Sequence, residues 1–161
     1  MVILYLASIV IANLTAAHFG LSAVYINAFL LIGLDLTARD WLHDKWTKNR
    51  WGKMLALIVS GGVLSWIMNK DAGVIAIAST AAFCAAALVD TIVYQALHDK
   101  KRIWKVNASN VLSAIVDSSV FITIAFGFNA GNIATQVLCK ALGGAFWFWV
   151  LMYRPPAARL P

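Results

Sequence analysis

Residues 72–97 read AGVIAIASTAAFCAAALVDTIVYQAL, a run in which no charged residue precedes Asp90. An α-helix needs about 20 apolar residues to cross the hydrocarbon core of a bilayer, and this stretch is longer than that. Its first part, Ala72 to Ala87, is rich in Ala, Gly and Ser, side chains small enough for membrane helices to approach closely. Outward from it, five further apolar stretches cover residues 2–17, 22–42, 53–68, 107–128 and 131–152. Compact turns separate several of them, at His18-Phe19-Gly20, Asn69-Lys70-Asp71 and Asn129-Ala130-Gly131, and Pro155-Pro156 ends the last. The sequence therefore predicts an all-α membrane protein, one integral domain over 1–161 with six transmembrane helices. Composition agrees. The chain is 61% hydrophobic and 12% charged, with a mean hydropathy of +0.78, against about 25% charged residues in a soluble domain.

The charges alternate by side. Lys45, Lys48, Arg50 and Lys53 follow the second span, Lys100, Lys101, Arg102 and Lys105 the fourth, and Arg154 and Arg159 the sixth. Only Lys70 falls in a loop on the opposite side. The positive-inside rule then puts both termini in the cytoplasm of a multi-pass protein of the plasma (inner) membrane. The net charge of +6 is topological on this reading. It does not mark a nucleic-acid binder, since no soluble basic domain carries it. Trp41, Trp46, Trp51 and Trp104 sit at the basic ends, as an interfacial aromatic belt does. Cys84 and Cys139 lie in apolar segments and read as packing residues. The first span has no basic n-region, so it is expected to remain as a span.

A charge in hydrocarbon costs about 2.5 kcal/mol or more, so ionisable residues inside the spans mark function. They are Asp35, Arg39, Asp90, Asp117 and Lys140. Arg39 is one turn after Asp35. Asp35 and Asp90 each precede a Leu-His-Asp-Lys helix end by the same spacing, an echo that suggests a repeat. Those His-Asp-Lys ends match no closed metal-ligand set. Asn110, Ser113 and Asp117 form a stripe on the fifth span, while Gln136, Lys140 and Trp147 share a face of the sixth. Asp117 precedes Asn129 by 12 residues and Lys140 follows it by 11, so the two are expected to pair at one depth. Asn13 in the first span, and Thr91, Tyr94 and Gln95 beside Asp90, add polar groups. There is no nucleophile beside a base, no metal box and no cofactor motif, so no enzyme is expected.

These residues also carry a family resemblance. Leu34-Asp35-Leu36-Thr37-Ala38-Arg39 resembles the D-L-T-x-R signature of the queuosine precursor transporters, also called the vitamin-uptake-transporter (VUT) family. Leu88-Val89-Asp90 with Tyr94 resembles its L-D-x-x-x-[FY] element. Val116-Asp117-Ser118-Ser119-Val120-Phe121 followed by Ile124-Ala125-Phe126 resembles its S-D-[TS]-x-x-F…I-A-F segment, with Val116 at a position that is commonly polar. Cys139-Lys140 and the aromatic run to Tyr153 resemble its C-[FY]-K segment.

The resemblance implies a six-helix bundle like the substrate-binding subunits of energy-coupling-factor vitamin transporters. It also implies uptake of a 7-deazaguanine, such as 7-cyano-7-deazaguanine (preQ0) or its aminomethyl relative (preQ1). Asp90 and Asp117 would accept its N–H edge, with Asp35 and Arg39 as a gate or second contact. Lys140, Arg39 or Asn13 would donate to its carbonyl, and Tyr94, Phe121 and Trp147 would stack on its faces. Two modes stay open: transport by this chain, alone or as a homo-oligomer, and a binding subunit that works only with an energy-coupling complex. For the second, Ala12-x-x-x-Ala16 offers a small-residue docking face. With both termini cytoplasmic, a cysteine placed near Lys48 or Lys101 should resist an impermeant thiol label in intact cells. Ready labelling there would overturn the topology.

Overall fold

The computed structural model describes residues 2–32, 34, 48–97 and 99–152. The apolar stretches wind into six helices among these residues: α1 (Val2–Phe19), α2 (Leu21–Asn27), α3 (Arg50–Met68), α4 (Gly73–Ala96), α5 (Arg102–Phe126) and α6 (Ala130–Met152). The expected limits shift where polar residues cap the helices. The fifth helix starts at Arg102, five residues before the apolar stretch, because a basic side chain outside the apolar core does not oppose helix formation. It stops at Phe126, where Gly127 takes φ +87°, a conformation open to glycine. The Asn129 side chain then accepts the Asn132 N–H (2.9 Å) and caps α6. At the turn between α3 and α4, Asn69 Oδ1 accepts the Asp71 N–H (3.0 Å) and starts a single 3₁₀ turn, Lys70–Ala72. The Lys70 ammonium lies 3.7 Å from the centre of the Trp66 ring, a cation over an aromatic face. The latter part of the second predicted span, with Asp35, Arg39 and the first copy of the Leu-His-Asp-Lys echo, lies outside the described residues.

Two helical stretches are long and apolar enough to cross a bilayer, Val2–Phe19 and Lys70–Asp90, and shorter apolar helices cover Leu21–Ile32, Gly52–Met68 and Asn110–Phe126. Large apolar side chains point outward on every long helix, among them Ile3, Ile67, Ile77, Leu112 and Leu138. Helices apolar on their outer as well as their inner faces fit a hydrocarbon surround.

Packing follows the small residues. The alanines of α4 let it lie against α5 along most of its length. Ala78 and Ala82 form the main core with Phe121, Ile122, Ile133, Val24 and Ala16. Tyr5 and Ile9 of α1 pack on Met54 and Ile58 of α3 in a second cluster. Ala12 and Ala16 are therefore taken up inside the chain and do not form an outward docking face as expected, because α1 turns its small-residue stripe to the core.

After Asn27 the second helix widens into a π-helical turn, Ala28–Ile32. Such turns are rare and recur at functional sites. Helix α6 crosses this turn at Gly143, so closely that a Cβ there would collide with the Phe29 carbonyl oxygen. Phe29 and Phe146 rings pack beside the crossing at 5.6 Å. Backbone cannot yield as a flexible side chain can. Gly143→Ala should thus open the crossing and lower stability by about 1–3 kcal/mol, the cost of overpacking, read as a lower melting temperature in detergent. Gly62→Ala, whose Cβ would meet nothing nearer than 3.6 Å, is the control and should melt like the parent.

Candidate functional site

The polar residues of α5 and α6 meet in the interior. Asp117 is nine residues from the end of α5 and Lys140 ten from the start of α6, so each lies about 14–15 Å from the connecting turn. The Lys140 ammonium donates a hydrogen bond to Asp117 Oδ2 and forms an ion pair with it, as the spacing predicted. Lys140 is only 5% exposed, while the Asp117 side chain keeps 25% of its surface accessible. The pair thus has a closed, cationic side and a reachable, anionic side. One turn before Lys140, Gln136 is buried, and Ser118, next to Asp117, is fully buried. Neither was singled out for binding from sequence, although Gln136 shares the Lys140 face.

The other expected site residues divide. Phe121, one turn after Asp117, lies in the main core, its ring 6.2 Å from that of Phe126. Trp147 gives its indole N–H to the Leu30 carbonyl (2.7 Å) in the π turn, so it ties α6 to α2 at its polar edge. Asn13 is spoken for by neighbouring helices: its Nδ2 donates to Ser65 Oγ (3.2 Å) and its Oδ1 accepts from Ser79 Oγ (2.8 Å). Asn27 adds to this layer, donating to the Ala12 carbonyl (3.1 Å) and to Thr15 Oγ1 (2.8 Å). Tyr25 donates to Asn132 Oδ1 (2.9 Å) across α2 and α6. Each polar residue in an apolar span was a visible signal, but not its partner. Asp35 and Arg39 lie outside the described residues, as does the side chain of Tyr94.

Asp90 is half-buried and has no partner among the described residues. It sits six residues from the end of α4, about 9 Å, whereas Asp117 is fifteen residues from the start of α5, about 22 Å. The two helices run antiparallel across the short 97–101 connection, so these carboxylates stand about 13 Å apart along the bundle. Both were expected to accept the N–H edge of one ligand, which would need them at one depth. The offset arises because Asp90 lies near its connection and Asp117 in mid-helix.

Removing one member of a desolvated ion pair leaves an uncompensated charge, which costs about 3–5 kcal/mol when burial is complete. Asp117 is partly accessible, so the lower end applies. Asp117→Leu should destabilise the protein by roughly 3 kcal/mol, and the added change Lys140→Met should restore most of the loss. A double variant as unstable as the single one would show that the charges do not compensate each other.

A family model described as "Putative vitamin uptake transporter" matches residues 2–153. No curated protein and no solved structure matches the chain. The matched region takes in every described helix and the Asp117–Lys140 pair. Helical along its described stretches, apolar inside and out, and with the Asp117–Lys140 ion pair in its interior, this chain belongs to the vitamin uptake transporter family.

Proposed function

We propose that this chain takes up a queuosine precursor, a 7-deazaguanine such as 7-cyano-7-deazaguanine or its aminomethyl form, across the plasma (inner) membrane. In this reading all six helices cross the bilayer and both termini are cytoplasmic. The single observation that carries it is the Asp117–Lys140 pair, a carboxylate and an ammonium joined in the interior of an apolar bundle. The two groups complement a guanine-like edge. A carboxylate accepts two N–H bonds and donates none, as the ring N–H and exocyclic amine require, and an ammonium donates to the ring carbonyl. The partial accessibility of Asp117 leaves it free to exchange Lys140 for a ligand. The resemblance of the residues around Asp35, Asp90, Asp117 and Lys140 to the queuosine precursor transporters supplies the substrate class.

Asp90 has a different part. At about 13 Å from the level of Asp117 it is too far for one bicyclic base to touch both. It acts as a second polar station on the route towards the 97–101 connection. The runner-up, a binding subunit that requires an energy-coupling complex, loses its docking face with the burial of Ala12 and Ala16. Uptake by this chain alone in a host without its own route separates the two.

Hydrogen bonds to a charged group contribute about 1.5–3 kcal/mol. Asp117→Asn turns one acceptor into a donor, so binding of labelled 7-cyano-7-deazaguanine should weaken at least about tenfold, a loss of 1.4 kcal/mol. Asp90→Asn should slow uptake more than it weakens binding, and Asp99→Asn, at the helix end, should change little. Full uptake by folded Asp117→Asn and Asp90→Asn proteins would refute the site.

A further inference from the structure

A serine or threonine inside a helix ordinarily gives its hydroxyl to a carbonyl three or four residues back. Ser60, Ser65, Thr80, Ser119 and Thr135 all do so. Ser118 does not. It is 0% exposed, and its Oγ has no hydrogen-bond partner among the described residues. Gln136, 3% exposed, leaves its Oε1 in the same condition. Native structures keep few such atoms, since each costs about 1–3 kcal/mol when left unpaired. These two are not scattered. Ser118 directly follows Asp117, and Gln136 precedes Lys140 by one helical turn on the buried face of α6. Because Asp117 and Lys140 are bonded, both unpaired atoms lie within about one turn of that pair along the axis. Core packing does not account for them. An apolar side chain of either size would fill the same space without the cost of burial.

We propose that Gln136 and Ser118 are ligand-binding residues of the Asp117–Lys140 site, and that they select a neutral planar heterocycle presenting an N–H beside a ring acceptor. The inference rests on the reading that this pair lines the substrate site. A primary amide carries an acceptor oxygen and a donor nitrogen side by side in one plane. Its complement is a ring edge with the same two groups in reverse order: the ring N–H goes to Oε1, and the neighbouring acceptor takes the amide N–H. The Ser118 hydroxyl donates or accepts as needed and meets a further polar atom of the ring. The ion pair recognises one N–H edge and the carbonyl, while the amide checks the edge that neither charged group specifies. A ring whose N–H groups are all methylated leaves Oε1 unpaired and is rejected.

The test uses the purified full chain and four probes: 7-cyano-7-deazaguanine, guanine, adenine, and caffeine as the ring without an N–H. The variants are Gln136→Met and Ser118→Ala, each measured for melting temperature without ligand and for affinity. Loss of an unpaired buried atom should leave the melting temperature of either variant unchanged or raised. A purely structural role would lower it, and that result overturns the proposal. Affinity for the N–H-bearing probe that binds best should fall at least about tenfold in Gln136→Met and about three- to tenfold in Ser118→Ala. Should Gln136→Met fail to fold, Ser118→Ala, which deletes one atom, decides alone. Tight binding of caffeine, no binding of any N–H-bearing probe by the parent, or unchanged affinity in the variants would each refute the inference. If 7-cyano-7-deazaguanine binds the variants as it binds the parent, the inference falls and the proposed substrate stands. If it does not bind but guanine or adenine binds through Gln136, the substrate falls and the inference stands.

Discussion

An ammonium removed from water must find an anion, and in this bundle that demand falls on Lys140. At its depth in α6 it is closed off from solvent, and Asp117 is its ion-pair partner. The isolated charge would be worth several kcal/mol of desolvation, more than a helix gains from sliding one turn past its neighbour. The pair therefore holds the register of α5 against α6. The connection between them is short and sharply defined, with Gly127 in a conformation open to glycine and Asn129 capping the next helix. Register and turn agree, so the rest of α6 is placed. Gly143 then arrives at the π turn with no room for a side chain, and Trp147 reaches the Leu30 carbonyl.

The remaining polar residues form a second layer with a different task. Asn13, Ser65 and Ser79 join α1, α3 and α4, and Asn27 joins α2 to α1. In hydrocarbon, helices gain little from apolar association, so hydrogen bonds and close backbone approach hold them together. These amides and hydroxyls are satisfied within the protein and act as ties. Around Asp117 and Lys140 the pattern reverses, with Gln136 and Ser118 each leaving an atom unpaired. The layer around Asn13 is saturated, and the layer around Asp117 and Lys140 is not.

Asp90 shows how position along a helix separates like residues. It shares with Asp117 the chemistry of a carboxylate in an apolar stretch, but not its level in the bundle. Their separation of about 13 Å along the bundle exceeds the length of one bicyclic ring.

Read alone, the order of residues carries one-dimensional information. Six apolar stretches, the turns at Asn69 and Asn129, and the equal distances of Asp117 and Lys140 from one turn could all be counted, because helix rise is constant and converts residue number into depth. The Asp117–Lys140 pair was legible for that reason, and so was the family. Rotation of each helix about its axis was not. Whether Asn13 faces a ligand or the hydroxyls of Ser65 and Ser79, whether Ala12 and Ala16 face outward or inward, and that Ser118 rather than Ser119 is enclosed all depend on it. So does the meeting of Gly143 with Phe29, between elements more than a hundred residues apart. Rotation is set by the mutual packing of several helices at once, a property of the assembled bundle that no single stretch of sequence contains.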